Sequence, residues 1–337
     1  MTALQFLWFI LICVLFSGFF FLEGFDFGVG MAAGIIARND EEKSTMLEII
    51  GPHWVANETW LVTAGGAMFA SFPLWYASLF SGYYIMFLLV LAGLILRGVS
   101  FEFVEHAETH RARNLWYIVF VVGSLLAPLM LCIIFFSMIQ GIPINAKGDA
   151  HLAFFDIINW LSIVGGIAGV LLSLIHGLNY TRLTTTGVLR ERARNLNKIL
   201  YPILFVGEVV VALLVIFQTD FFQKKPISST IIILLIVLMS LMGAWGTWKD
   251  HEGWSLAGSG LSLVSVVILI FNGLFPRVMI ANNPANDLLV ANSSSSPMAL
   301  GIMTIVVCVL LPIVLAYFIW SYTLFTKRMA SNGKVND

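Results

Sequence analysis

Charge is what this 337-residue chain has least of: Asp, Glu, Lys and Arg make up 11% of it, against 59% hydrophobic residues. With a mean hydropathy of +0.92, that shortage excludes a soluble globular domain and points to a polytopic membrane protein. The few charges nearly cancel, at a net −1, and no basic patch stands outside short loops, so nucleic acid is excluded as a partner. Cysteine is scarce too. Cys13, Cys132 and Cys308 lie far apart within apolar runs, which excludes a disulfide framework or a CxxC metal site and leaves them as small buried apolar residues. The chain has no CxxCH, no P-loop and no facing pair of mid-span histidines, so its own residues suggest no cofactor or metal site. The opening MTALQFLWFILICVLFSGFFF lacks a basic n-region and a small-residue cleavage site, so it is expected to be a retained span and not a signal peptide.

What is present is a series of apolar runs, each near the roughly 20 helical residues that cross a hydrocarbon core of about 30 Å. Nine transmembrane helices are expected, at approximately 4–34, 55–73, 76–97, 115–140, 156–178, 200–218, 229–248, 255–275 and 298–325, in one all-α integral-membrane domain of helical bundles covering 1–337. The first run is too long for a straight crossing, so it must tilt, bend near its glycines or emerge on one side. Basic residues segregate between the loops. Arg38, Lys43, Arg97, Arg111, Arg113, Arg182, Arg190, Arg192, Arg194, Lys198, Lys249, Lys327, Arg328 and Lys334 fall on one side, and Lys147, Lys224, Lys225 and Arg277 on the other. Positive charge collects in cytoplasmic loops, so the N-terminus is expected outside and the C-terminus in the cytoplasm. The arginines of 183–198 read as anchors near anionic lipid, and the Asn- and Ser-rich stretch 281–297 as a solvated outer connection.

Two acids interrupt the first run, in FLEGFDFGVGMAAG over 21–34. Glu23 and Asp26 share a helix face, while Gly24 with Gly28 and Gly30 with Gly34 clear the four-residue spacing that lets another backbone come close. An ionised acid near the bilayer centre costs several kcal/mol, so these two mark an ion or proton route, unless the helix stops near Leu22 and leaves them at the interface. A second constellation is His53, Asn57 and Glu58, which would lead a polar track into the second span from the cytoplasmic side, with Glu58 about one turn inside. His53 equally reads as an interfacial histidine, and Trp54 and Trp60 as interface aromatics. Third, Arg97 heads RGVSFEFVEHAETHRAR and is expected to pair with Glu102 or with an acid on a neighbouring helix, while His106 and His110 read as solvated loop groups. His176, in LLSLIHGLNY, reads as a hydrogen-bonded core or interface group, since haem ligation would ask for a partner. Acids in glycine-rich spans would also suit a secondary transporter.

Taken together, these residues closely resemble subunit II of the cytochrome bd family of quinol oxidases. The resemblance runs along nearly the whole chain and is most specific at Glu23-Gly24-Phe25-Asp26-Phe27-Gly28-Val29-Gly30, at Pro52-His53-Trp54 through Trp60-Leu61-Val62-Thr63-Ala64-Gly65-Gly66-Ala67, at Phe80-Ser81-Gly82-Tyr83, and at Arg97 with Phe101-Glu102. His176-Gly177 and Leu274-Phe275-Pro276 match more weakly. The resemblance implies a multi-pass bacterial plasma-membrane protein in a heterodimer, with small accessory subunits as further possible partners. Subunit I would bind two b-type haems and one d haem and oxidise quinol. Subunit II would be a related bundle without haem, stabilising its partner while dioxygen is reduced to water with protons from the cytoplasm. It also implies that an acid at the start of the second span serves proton entry. Better-known relatives carry an Asp directly after His-Trp; this chain has Val55 there, and Glu58 is its nearest acid. Glu58, Asp26 and Glu23 are therefore the proton-relay candidates, and Arg97 and Glu102 the ion-pair candidates. A purely structural scaffold subunit is the remaining alternative.

Overall fold

The first apolar run forms one unbroken helix, α1 (Ala3–Ile36), whose N-terminus is capped reciprocally by Thr2 and Gln5. At 34 residues it is about 50 Å long, well over a bilayer core, so it emerges or tilts; it does not stop near Leu22. Around it run α2 (Asp40–Glu48), α3 (Trp54–Ser71), α4 (Pro73–Gly82), α5 (Tyr84–Glu105), α6 (His110–Met138) and the short α7 (Phe154–Ile157). The chain continues through α8 (Trp160–Thr184), α9 (Val188–Gln218), α10 (Phe221–Lys224), α11 (Pro226–Lys249) and α12 (Glu252–Leu274). It closes with an antiparallel pair, β1 (Arg277–Met279) and β2 (Leu288–Leu289), then α13 (Val290–Ser293) and α14 (Pro297–Leu324). This computed structural model describes residues 1–324, 328 and 329; Lys327, Lys334 and position 325 of the expected last span lie outside them.

Among the described residues, eight helices are long and apolar enough to cross a membrane: α1, α5, α6, α8, α9, α11, α12 and α14. The expected span at 55–73 is α3, whose Asn57, Glu58, Thr59 and Thr63 leave it short of that standard. It nonetheless runs between the same two ends of the bundle. His53, at its head, stacks on Tyr322 near the end of α14, and Ser71, at its tail, accepts from the backbone of Ser295 just before α14 begins. One end also joins Arg192 to Glu42, Lys43 to Asn114 and Arg328 to Glu252. The opposite end joins Gln5 to Ser294, Asn286 to the Ile144 carbonyl and Arg277 to Asp220. The N-terminus and residue 328 thus lie at opposite ends, as an odd number of passages requires.

Several boundaries differ from expectation, each for a local reason. The span expected at 76–97 is divided at Tyr83 into α4, which Pro73 starts, and α5, which continues to Glu105. Gly187, at φ 71°, turns the chain so that α9 begins at Val188, and most of the basic segment 183–198 is helix instead of loop. The stretch 281–297 is packed and not merely solvated, because Leu288, Val290 and Ser293 turn inward and are buried. Cys13 and Cys132 are buried as expected, whereas Cys308 is exposed on the outward face of α14.

Helix α1 is the centre of the packing, against α3, α6, α8 and α12. Phe9, Phe16, Phe19, Phe20 and Phe27 are buried along it, with edge-on contacts from Phe16 and Phe20 to Phe135 of α6. Of its four spaced glycines only Gly28 admits a backbone, whereas Gly24, Gly30 and Gly34 face the side chains of Leu263, Ser124 and Val121. A Cβ on Gly28 would stand 2.0 Å from the Ser173 carbonyl oxygen, and one on Gly177 would stand 2.1 Å from the Gly28 carbonyl carbon, so α1 and α8 cross backbone to backbone.

Candidate functional site

The acids of α1 come first. Glu23 and Asp26 project from one face and are both fully buried. Arg97 of α5, also without exposed surface, donates to Glu23 Oε1 through Nη1, stands 4.0 Å from Asp26 Oδ2 through Nη2, and lies 4.9 Å over the Phe27 ring. From α3, buried Asn57 donates through Nδ2 to Asp26 Oδ2 at 2.8 Å. Glu58, the next residue, is half-buried, with its charge within reach of Arg97, Glu23 and Asp26. The sequence-derived candidates Glu23, Asp26, Glu58 and Arg97 therefore meet at one place.

Glu102 does not join them. It turns outward at the end of α5, 80% exposed, beside His106 at 3.7 Å, because five residues on a helix carry a side chain far around from Arg97. His106 and His110 are exposed as expected. His53 is buried to 2% and is not a wetted interfacial group; the ring of Tyr322 covers it face to face, with centroids 4.2 Å apart. Trp60 is no interface aromatic either. Its indole fills the space a Cβ on Gly18 would take, sealing α3 onto α1. Trp54 stacks on Phe101 of α5 instead of standing free at the interface.

Three carboxyls face one guanidinium in this cluster. Full ionisation would leave uncompensated negative charge in a low-dielectric bundle, at a cost of several kcal/mol per unpaired ion. Glu23 Oε2, Asp26 Oδ1, Glu58 Oε1 and Arg97 Nε have no hydrogen-bond partner among the described residues, so each acid retains an oxygen that can take a proton. Chemically, the arrangement can accept, hold and pass protons. Among the described residues, no three His, Cys, Asp or Glu side chains are grouped as a metal site would need.

A second polar network, at the end of α8, was largely hidden in the sequence. Both ring nitrogens of His176 are engaged, Nδ1 with Ser259 Oγ at 2.8 Å and Nε2 with the Phe21 carbonyl at 2.9 Å, so neither is free for iron. Asn179 joins Ser259, Tyr201 and Asn197, and leads to Arg182. Arg182 is fully buried, against Thr247, Ser255 and Asp250. Arg190 and Arg194 also reach Asp250, and Arg192 reaches Glu42, so carboxylates of this chain hold the arginines expected at lipid headgroups. Their sequence signal was limited to an i,i+3 spacing of Asn179 and Arg182.

The family model of cytochrome bd terminal oxidase subunit II matches residues 4–325. The chain belongs to this family. It is 43% identical over 331 residues, 98% of both chains, to the cytochrome bd ubiquinol oxidase subunit 2 of Bacillus subtilis (strain 168). It is 31% identical over 354 residues, 95% of this chain and 93% of the relative, to the cytochrome bd-I ubiquinol oxidase subunit 2 of Escherichia coli (strain K12). In fold it is similar to a chain of the bd oxidase from Geobacillus thermodenitrificans, with a TM-score of 0.73, 16% identity, and coverage of 97% of this chain and all of that one. The apolar helices and the family together make it a multi-pass protein of the bacterial plasma membrane. In this subunit II, Val55 is 57% exposed, whereas Glu58, whose side chain lies about 60° away around α3, is half-buried within reach of the Arg97 charge.

Proposed function

We propose that this chain acts as the haem-free second subunit of a bd-type quinol oxidase, and that Glu58, Asp26 and Glu23 form part of the path that brings cytoplasmic protons to the oxygen site. The observation that carries the reading is the cluster itself: the fully buried Glu23, Asp26 and Arg97 with the half-buried Glu58 beside them, and acidic oxygens left over for protons. Arg97 pairs with Glu23, and Asn57 supplies a donor to Asp26, so the surplus carboxyl capacity lies with Glu58 and Asp26. In this reading subunit I carries two b-type haems and one d haem and oxidises quinol, and the end of the bundle bearing Glu42, Asn114 and Glu252 faces the cytoplasm. The second subunit also stabilises the first, as one integral-membrane unit.

Glu58→Gln and Asp26→Asn decide the matter in the purified two-subunit complex, because the amides preserve packing and remove only the titrating proton. Oxygen consumption should fall about tenfold with haem content and assembly retained, and Glu58→Asp should restore part of the rate. Unchanged turnover in both single variants and in the double variant would leave a scaffold subunit as the better reading.

A further inference from the structure

Helix α14 is fastened to the rest of the chain mainly near its two ends. Near its start, Trp8 Nε1 donates to Thr304 Oγ1 at 3.0 Å and to the Leu300 carbonyl at 3.3 Å. Near its other end, Tyr322 reaches the acid cluster. The most apolar stretch of the helix buries no residue within the chain. A helix so sparsely covered makes the Tyr322 contact informative: among the described residues it is one of few holds on that end, beside the Trp60–Phe318 ring contact and the pairing of Arg328 with Glu252 beyond the helix.

Tyr322 Oη donates to Asn57 Oδ1 at 2.8 Å, and its ring lies flat on His53, with the planes 5° apart. The two ends of a carboxamide are not interchangeable: the oxygen only accepts and the nitrogen only donates. With Tyr322 holding Oδ1, the Nδ2 group must face Asp26, as it does at 2.8 Å. The flipped amide would set an acceptor against the Asp26 carboxylate, leaving that acid without its donor. Arg97 on α5 stands 4.0 Å from the same Asp26 oxygen that Asn57 serves. The other groups whose charge bears on Asp26 are Glu23 on α1, Glu58 on α3, Tyr180 on α8 and Tyr322 itself on α14. Among the described residues, Asn57 is the group around Asp26 that accepts a hydrogen bond from α14.

We infer that Tyr322 is a positioning residue for the proton path: it orients the Asn57 amide so that Asp26 always meets a donor, and it thereby ties the seating of α14 to the protonation of the cluster. The inference rests on the proton-path reading of Asp26. It assigns α14 a task in subunit II that its sparse packing alone would not suggest. Movement of the Tyr322 end of the helix would release the amide and change how readily Asp26 gives up its proton, without any side chain of α1 having to move.

The test is the pH dependence of turnover in the assembled oxidase, with haem content as the control. Tyr322→Phe keeps the ring over His53 and deletes only the hydroxyl. It should lower turnover roughly three- to tenfold, the size of one lost hydrogen bond, and displace the pH profile. In an Asp26→Asn background the same substitution should cause no further loss, since the group it acts on is gone. Asn57→Ala should reproduce the displaced profile. A wild-type pH profile in Tyr322→Phe, or an undiminished effect on top of Asp26→Asn, overturns the inference while leaving the proton path standing. If Tyr322→Phe does not assemble, the Asn57→Ala profile decides alone, displaced in support or unmoved against. Failure of both variants to assemble shows the contact to be packing and overturns the inference. Should Asp26→Asn itself run at the wild-type rate, the proton path falls, and the inference with it.

Discussion

A carboxylate is held ionised by the cations beside it, and Asp220 shows how. At the end away from the acid cluster, burial alone would raise Asp220, but hydrogen bonds from Arg277 and Lys224 outweigh it and hold the carboxyl at about 2, against an ordinary 3.8. A group whose folded value is depressed stabilises the fold above its ordinary value, and that contribution fades as pH falls from about 4 through about 2. Asp220→Asn should therefore lower the melting temperature of the detergent-solubilised complex at neutral pH and flatten its acid limb between those values. An acid limb as steep as the wild type's would show that Asp220 is not the group responsible. Glu23, Asp26 and Arg97 were legible in the sequence because charge inside an apolar run is conspicuous, and the cost of burying it demands a partner. The partner of Arg97 was less so, since Glu102 is nearer along the chain while Glu23 is nearer in space. Tyr322 was invisible: a tyrosine near the end of a span reads as an interface residue, and its partner Asn57 lies 265 positions away.

Helices are set by hydropathy, but their meeting points are set by glycine. Nothing in the apolar content of α1 distinguishes α8 from any other neighbour; the absence of side chains at Gly28 and Gly177 does, because it lets two backbones touch where lipid is no worse a solvent than leucine. The i,i+4 glycines of α1 announced that such a crossing exists, but not that Gly177 is its other half. Gly28→Ala should destabilise the folded chain by about 3 kcal/mol, since the added methyl must push α8 away, whereas Gly65→Ala, which meets open space, should be near neutral. Equal melting temperatures for the two variants would sink the crossing as a determinant. The passages themselves were legible from runs of apolar residues. Their ends were not, because the break at Tyr83 and the start of α9 after Gly187 depend on backbone angles that hydropathy averages over.

For the whole molecule, the polarity of α3 has a consequence in biogenesis. A segment that carries Asn57, Glu58, Thr59 and Thr63 does not partition well into lipid by itself, as each charged residue at a helix centre costs about 2.5–3.5 kcal/mol on insertion. Its polar face becomes acceptable only beside α1, and the acids of α1 become acceptable only once Arg97 has arrived on α5. Residues 1–105, which end with α5 complete, thus hold Glu23, Asp26, Asn57, Glu58 and Arg97 together. In a membrane-insertion assay, the segment 54–71 placed in a neutral host should integrate poorly, and the same segment within residues 1–105 should integrate well. Efficient integration in isolation would remove the dependence. If it holds, the translocon cannot release these helices one at a time. It must keep α1 waiting at its lateral opening until α5 has been made, so that the nascent chain enters the bilayer there as a preassembled group, with Glu23 already against Arg97 and Asp26 against Asn57.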